Sequence, residues 1–506
     1  MIERIRAMSA TVIEPRATQS AVSLVSGETW NGKLFDGDWN TASNTLSVLE
    51  PATGETLGEV GLSDPATMGQ TVARAKEGQR EWASWSTDKR AAVMREAARL
   101  METEREAVVD MIVRETGGVR GKGYVEIQGT IDELYHSAAL LIQPEGELLP
   151  SPNPSRLSLA RRVPIGIVGV IAPWNFPMLL AMRSVAPAIA LGNAVILKPD
   201  PQTSIVGGAL LARMFELAGL PKGVFSVVNG GPDVGEALVE AAGVRMITFT
   251  GSTAVGRRVG EVAGRNLKRV ALELGGKSPF IVLDDADLPA AASAGAWGSF
   301  LHQGQICMAS GRHIVQRRVA DDYIELLAQK AKALPVGDPF RAEVAIGPII
   351  NAKQVERVHK IVTDTVAAGA QVAAGGTFEG LFYNPTVLTN VTRGMPAYDL
   401  EIFGPVAPVI IVEDEEEAIR VANDTEYGLS GAVQTGSLER GLRVARQIRS
   451  GLVHINDQTI HDMAGIPFGG SGASGNGSRF GSTTNIDEFT EWQWMTIGGQ
   501  PTRYPF

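Results

Sequence analysis

Cysteine occurs once in 506 residues, at Cys307. That excludes an intramolecular disulfide and any zinc site built on several thiolates, and it fits a reducing compartment. Histidine is sparse as well. The six, at 136, 302, 313, 359, 454 and 461, show no His-Glu-x-x-His or similar ligand spacing, so no catalytic metal is expected. No apolar run nears the roughly 20 residues needed to span a bilayer. The opening Met1-Ile-Glu-Arg-Ile-Arg carries charge but no apolar segment behind it, so no secretory signal is expected. Basic residues number 46 against 56 acidic ones, a net charge of −10, which disfavours a general nucleic-acid or anionic-membrane surface. The expectation is a cytoplasmic protein with neither nucleic acid nor membrane as partner.

What is present describes an ordinary globular chain, 44% hydrophobic and 20% charged, long enough for two or three domains. Residues 1–50 suggest an irregular arm with short strands around Trp30, Phe35 and Trp39. Asp64-Pro65 predicts a helix start, and a second helix from Ser86 is expected to end before Gly117-Gly118. From Val163 the texture alternates. Ile165–Ala172 is a continuous apolar run, as a strand covered on both faces requires. Four further strands, Ala194–Leu197, Val224–Val228, Arg245–Phe249 and Arg269–Leu274, are separated by helical segments. This predicts an α/β fold with a doubly wound, mostly parallel sheet, which binds ligands beyond the carboxyl ends of its strands. Past Gly275-Gly276 the alternation resumes, predicting a second α/β domain. The Gly-rich segment 468–477 is expected as a loop. Glu488–Met495 alternates like a strand, and its Trp492 and Trp494 suggest pairing with a partner subunit.

Several residues have both a bland and a chemical reading. Cys307, judged by count alone, favours a buried structural thiol; Gly304 and Ser310-Gly311 around it favour irregular, closely approached backbone. His302, five residues earlier, is either a base or a packed side chain, the second being the commoner case. Asn175, after the first strand of the sheet, is either a helix cap before Pro177 or an oxyanion donor. Glu273 ends a strand in apolar surroundings, where a carboxyl is either a structural acceptor or a general base of raised pKa. Lys198 ends the second strand, and Gly251–Gly256 sits where a helix N-terminus would receive a phosphate. Gly276-Lys277-Ser278 imitates the end of a phosphate-binding P-loop, but its first glycine would be residue 271, which is Ala271, so that reading is rejected.

In this order and spacing, Pro173-Trp-Asn-Phe-Pro177, Leu197-Lys-Pro199, Phe249-Thr-Gly-Ser-Thr253, Leu272-Glu-Leu-Gly-Gly-Lys277, Gly304-Gln-Ile-Cys307, Glu401-Ile-Phe-Gly-Pro405 and Pro467-Phe-Gly-Gly470 resemble the NAD(P)-dependent aldehyde dehydrogenase superfamily over nearly the whole chain. The resemblance implies that Cys307 is the nucleophile, forming a thiohemiacetal whose oxyanion meets the Asn175 amide and the Cys307 N–H. Loss of hydride would give a thioester, and Glu273 would activate the water that hydrolyses it. Lys198 and Glu401 would hold ribose hydroxyls, Phe403 would pack by the nicotinamide, and Gly251 and Ser252 would meet the pyrophosphate. Gly256 and Trp174 complete the implied cofactor set.

Met182–Pro187, Phe300–Ser310, His454–Thr459 and Glu488–Trp494 are similar to the benzaldehyde and vanillin dehydrogenase group, which implies an aromatic aldehyde substrate. The implied tunnel uses Phe176, Leu180, Arg183, Ile306, Met308 and Phe468. Arg183 would either meet a ring substituent or form an ion pair behind the wall. A CoA-acylating semialdehyde dehydrogenase is the alternative, and retention of Glu273 argues against it. Many strictly NAD-using relatives carry a glutamate where this chain has Pro201, so NAD is expected with tolerance of NADP. The resemblance further implies a cofactor domain of residues 1–150 and 165–274, a catalytic domain of 275–483, and an oligomerisation arm of 151–164 and 484–506 that would build a dimer or tetramer.

Overall fold

Apolar runs bounded by turn residues form two seven-stranded sheets in the computed structural model, which describes residues 23–501 and 503–506. The first sheet contains β1 (Lys33–Phe35), β2 (Trp39–Thr41), β3 (Ile167–Ile171), β4 (Ala194–Lys198), β5 (Phe225–Val227), β6 (Val244–Thr250) and β7 (Arg269–Glu273). Their order is β7-β6-β3-β4-β5-β1-β2, with the five strands from β7 to β5 parallel and β1 and β2 antiparallel at the edge. The chain leaves β3 towards β4 and β5, then returns to lay β6 on the other side of β3. A crevice opens where that direction reverses, beyond the carboxyl ends of β3 and β6.

The second sheet contains β8 (Ser278–Val282), β9 (Ser310–Gln316), β10 (Gln371–Ala374), β11 (Thr386–Thr389), β12 (Val406–Val412), β13 (Ala432–Gln434) and β14 (His454–Ile455), in the order β10-β11-β12-β9-β8-β13-β14. Only β10 runs antiparallel to its neighbour. The carboxyl ends of the first sheet face the amino ends of this one: residues 274–277 run directly from β7 into β8, and Asn175, just beyond β3, bonds the loop that leads into β9. Each sheet is buried between helices over its own apolar clusters, centred on Val168, Val195 and Leu197 in one and on Ile281, Ile314 and Val433 in the other.

Of the helices, α1 (Met68–Ala83), α2 (Thr87–Thr103), α3 (Arg105–Thr116) and α4 (Arg120–Leu140) precede the first parallel strand, and α5 (Pro177–Ala190), α6 (Thr253–Arg265) and α7 (Leu288–Phe300) follow. The single helix expected from Ser86 to Gly117 is two, α2 and α3, because Glu104 leaves helical geometry between them. Gly117 ends α3 in the left-handed region at φ 67°, as expected of a glycine stop. The helical segment between β4 and β5 begins as short 3-10 and π turns before Leu210–Leu217. Residues 1–22 of the expected irregular arm lie outside the described residues.

A third, antiparallel sheet joins Gly146–Leu149, Arg156–Pro164 and Thr490–Gly498, with Arg156–Pro164 in the middle. The expected C-terminal strand therefore forms, starting at Thr490 after a short helix, and pairs along one side with its own chain. Its other side is an edge, where Trp492 and Trp494 are 50% and 68% exposed. No helix among the described residues is long and apolar enough to cross a membrane.

Candidate active site

The crevice continues into a cavity of about 200 Å³ lined by Trp174, Asn175, Leu180, Gly251, Ser252, Cys307, Glu401 and Phe403, among others. Three separate stretches deliver the chemical groups. Asn175 lies on the loop leaving β3, Glu273 is the last residue of β7, and Cys307 lies in the loop before β9. That last loop is strained: His302, Gln303 and Gly304 all have left-handed φ values of 49°, 57° and 66°. Such a run is costly for side chains with a Cβ, and it is held from outside. The Gln303 amide donates to the Gly117 and Pro348 carbonyls at 2.8 and 2.7 Å. The Cys307 carbonyl oxygen sits only 2.2 Å from where a Cβ on Gly276 would lie, so residue 276 must be glycine for the two halves to close.

Cys307 is partly open to the cavity but deep in the molecule. Burial, then the Glu401 and Glu273 carboxyls, push its thiol up to about 12, with Arg183 opposing. A resting thiol of this kind needs a base or an added positive charge to become a nucleophile. Glu273 is 4% exposed, and neither carboxyl oxygen has a hydrogen-bond partner among the described residues. Burial raises its pKa well above the usual carboxylate range, while Arg183 and Arg479 pull it down. An unpaired buried carboxyl of this kind is poised to exchange a proton. Asn175 donates one amide hydrogen to the Gln305 carbonyl at 2.9 Å, which leaves the other hydrogen of the amide to give.

The residues expected around a dinucleotide divide along the cavity. Ser252 occupies the N-cap of α6 without a side-chain cap bond, and the first turn of α6 has no acidic residue. Its N–H groups are thus a fitting receptor for a pyrophosphate. Gly256, one turn on, lies against Leu274, whose side chain a Cβ there would strike at 2.3 Å. Lys198 is buried at the end of β4, its pKa lowered by burial and raised again by Asp200 and Asp233. Glu401 accepts the Gly276 N–H at 3.0 Å, and burial pushes it up to about 7. Phe403, at φ 56°, meets Trp174 edge-on with ring centres 5.4 Å apart. A strained backbone at an aromatic residue marks a position held for its side chain. Arg357 and Gln354, which also line the cavity, were not legible in the sequence. Arg357 donates to the Glu401 and Ile402 carbonyls at 2.6 and 2.7 Å and fixes that loop. These groups fit a nicotinamide dinucleotide: a helix N-terminus for the phosphates, carboxyl and ammonium groups for hydroxyls, and aromatic faces for a ring.

Behind the thiol, Ile306, Met308, Leu429, Leu452 and Phe468 form a small apolar cluster, with Phe176 and Cys307 packed against it. Five of the six expected tunnel residues thus gather by the sulfur, Leu180 from the cavity side and four within this cluster. Arg183 stands apart. Its guanidinium pairs with Asp462, lies 3.8 Å from Glu133, and covers the Phe468 ring at 4.1 Å. Burial pushes Glu133 up to about 8, with Arg183 opposing. His302 is fully buried, its ring edge-on to Phe176 at 5.3 Å and its pKa held well below the ordinary value by burial and by Lys122. Among the described residues no group of three His, Cys, Asp or Glu side chains could hold a metal ion.

A single thiol, an amide donor and an unpaired carboxyl stand beside a dinucleotide-type crevice, an arrangement that fits an oxidoreductase. The profile described as the aldehyde dehydrogenase family matches residues 39–495, and the chain belongs to that family. It is 54% identical over 487 residues to a vanillin dehydrogenase of Amycolatopsis sp., covering 96% of this chain and 100% of that protein. It is 50% identical over 478 residues to a benzaldehyde dehydrogenase (NAD(+)) of Pseudomonas putida, covering 94% and 98%. Among solved structures, a salicylaldehyde dehydrogenase from Pseudomonas putida G7 complexed with salicylaldehyde matches with a TM-score of 0.90 at 36% identity, covering 94% of this chain and 99% of that one.

Proposed function

We propose that this protein oxidises aromatic aldehydes to carboxylic acids with NAD as hydride acceptor. The observation that carries the reading is the apolar cluster of Ile306, Met308 and Phe468 against Cys307, a wall suited to an aryl ring, together with the aromatic-aldehyde names of the relatives at 50 and 54% identity.

In the proposed reaction the Cys307 sulfur attacks the carbonyl carbon as its proton passes to ionised Glu273. The oxygen that gains the electron pair is stabilised by the free Asn175 N–H and the Cys307 backbone N–H. Trp174 and Phe403 would pack by a nicotinamide and Ser252 would meet the pyrophosphate of the same dinucleotide, which would supply the hydride acceptor. Glu273 then releases the thiol proton to solvent, and the thioester left on Cys307 is hydrolysed by a water whose proton the freed carboxylate takes, the sulfur leaving as the acid forms. Burial keeps that carboxyl basic, and no hydrogen bond anchors it away from either proton donor. Pro201 itself supplies no carboxylate, which supports tolerance of NADP, while Asp200 and Asp233 are the carboxylates that act on Lys198 and oppose that tolerance.

The three sheets support a division into a cofactor domain (1–150 and 165–274), a catalytic domain (275–483) and an arm (151–164 and 484–506), except that Gly146–Leu149 lies on the sheet of the arm. The open edge bearing Trp492 and Trp494 supports self-association through the arm. A thiol that must stay reduced supports a cytoplasmic setting.

The test is kcat/KM over benzaldehyde, vanillin, a linear aliphatic aldehyde and succinic semialdehyde, each with NAD and NADP. The aryl aldehydes should lead by roughly tenfold or more, the value of about 1.4 kcal/mol of apolar contact. A lead for succinic semialdehyde, or acyl-CoA as the sole product when CoA is added, overturns the proposal.

A further inference from the structure

Lys122 and Glu126 form an ion pair one turn apart on α4, and both side chains are fully buried. A buried pair is by itself weak evidence of stabilisation, because desolvation offsets the attraction. This one also holds the segment that carries Asn175. Helix α5 begins with Pro177, and its cap position, Phe176, makes no side-chain bond to the first turn. Pro177 has no N–H, so the first donor to be satisfied is that of Met178. Glu126 Oε1 accepts it at 2.8 Å, placing an acceptor and a negative charge at the positive end of the helix. Lys122 in turn lies 4.6 Å from the centre of the Phe176 ring, and its Nζ reaches Thr116 Oγ1 at 3.3 Å.

The two arms of the pair therefore grip the chain at Phe176 and at Met178, one and three residues past Asn175. On its other side, Asn175 is tied to the Gln305 carbonyl. With both flanks fixed, the remaining amide hydrogen has a defined direction.

We propose that the Lys122–Glu126 pair positions the Asn175 amide for the oxyanion that forms when Cys307 attacks. The two are positioning residues, acting through the α5 N-terminus, and the inference rests on the role given to Asn175 above. In that step the sulfur–carbon bond forms, the carbonyl π pair moves to oxygen, and the thiol proton leaves to Glu273. Misplacing a donor by about 1 Å costs on the order of 10²-fold in such a step.

The experiment compares two double variants that both remove the charge. E126Q/K122M keeps an acceptor for the Met178 N–H, and E126L/K122M does not. Each is assayed for the NADH burst with benzaldehyde, for thiol acylation by 4-nitrophenyl acetate without cofactor, and for NAD Kd. The leucine variant should lose about 10- to 100-fold in both acylation rates with its NAD Kd unchanged. The glutamine variant should lose only about threefold, the share of the Lys122 contact with Phe176, since an amide oxygen still accepts the Met178 bond. Should the leucine variant fail to fold, E126A/K122M, which likewise has no side-chain acceptor for the Met178 N–H, carries the same comparison. Equal acylation rates in the two doubles, or a loss explained by a weaker NAD Kd, overturn the proposal. If the parent oxidises no aldehyde while ester acylation still separates the doubles, the oxidoreductase reading fails and the positioning role stands.

Discussion

The Asn175 side-chain amide donates to the Gln305 carbonyl oxygen at 2.9 Å, two residues before Cys307. This bond joins a loop leaving the first sheet to the strained loop leading into the second. The donor and the nucleophile proposed for one reaction are thus held in register by a direct link rather than through a long chain of contacts. It also spends only one of two amide hydrogens, so positioning and catalysis do not compete.

Asn175→Ala removes the donor and the link together. Its kcat with benzaldehyde should fall about 10²- to 10³-fold, the usual cost of one oxyanion donor. NAD Kd, followed by fluorescence titration, should not change, since Asn175 is not among the groups proposed to hold the dinucleotide.

Cys307→Ala should abolish hydride transfer altogether. Glu273→Gln should slow the first-turnover burst of NADH as well as the steady state by roughly 10²-fold or more, because an amide can take neither the thiol proton nor that of the attacking water. Rapid-mixing absorbance at 340 nm (an assay wavelength) separates the two. A burst at the parent rate followed by slow turnover would confine Glu273 to thioester hydrolysis.

Glu401 should make cofactor binding depend on pH. Burial pushes its carboxyl up to about 7, so below neutrality it is largely protonated and loses its capacity to accept two ribose hydroxyls. Ionisation on raising the pH restores that capacity, so NAD Kd should tighten by about tenfold from pH 6 to pH 8. Glu401→Gln should flatten this profile. A parent Kd that is constant across the range would remove Glu401 from the ribose site.

The parallel strands were legible because Ile167–Ile171, Ala194–Lys198 and Val244–Thr250 are buried on both faces and carry apolar residues at nearly every position. Asn175, Glu273 and Cys307 were legible as members of short motifs in a fixed order, and the cavity brings Asn175 and Cys307 together. Helix α4 was not. Gly121, Gly123 and Gly129 weaken its propensity, and Lys122, Glu126 and Glu133 occupy inward positions where a periodicity argument expects apolar residues. Charged residues count as surface until their partners are known, and those partners are 4 to 50 residues away or more. The left-handed turn at His302 and Gln303 has no local signal either, because tertiary hydrogen bonds rather than residue preference hold it. Asp462 gave no sign that it faces Arg183, nearly 300 residues earlier in the chain.

The carboxyl ends of one sheet meet the amino ends of the other, and this has a bearing on how such an enzyme diversifies. The groups placed for the dinucleotide hang mainly from the first sheet, while the aryl wall hangs from loops of the second. Exchanging residues around Ile306, Met308 and Phe468 can change which aldehyde is accepted while the phosphate and ribose contacts stay as they are. An engineer seeking a new substrate therefore has a set of loops to graft, and one seeking a new electron carrier has a different set.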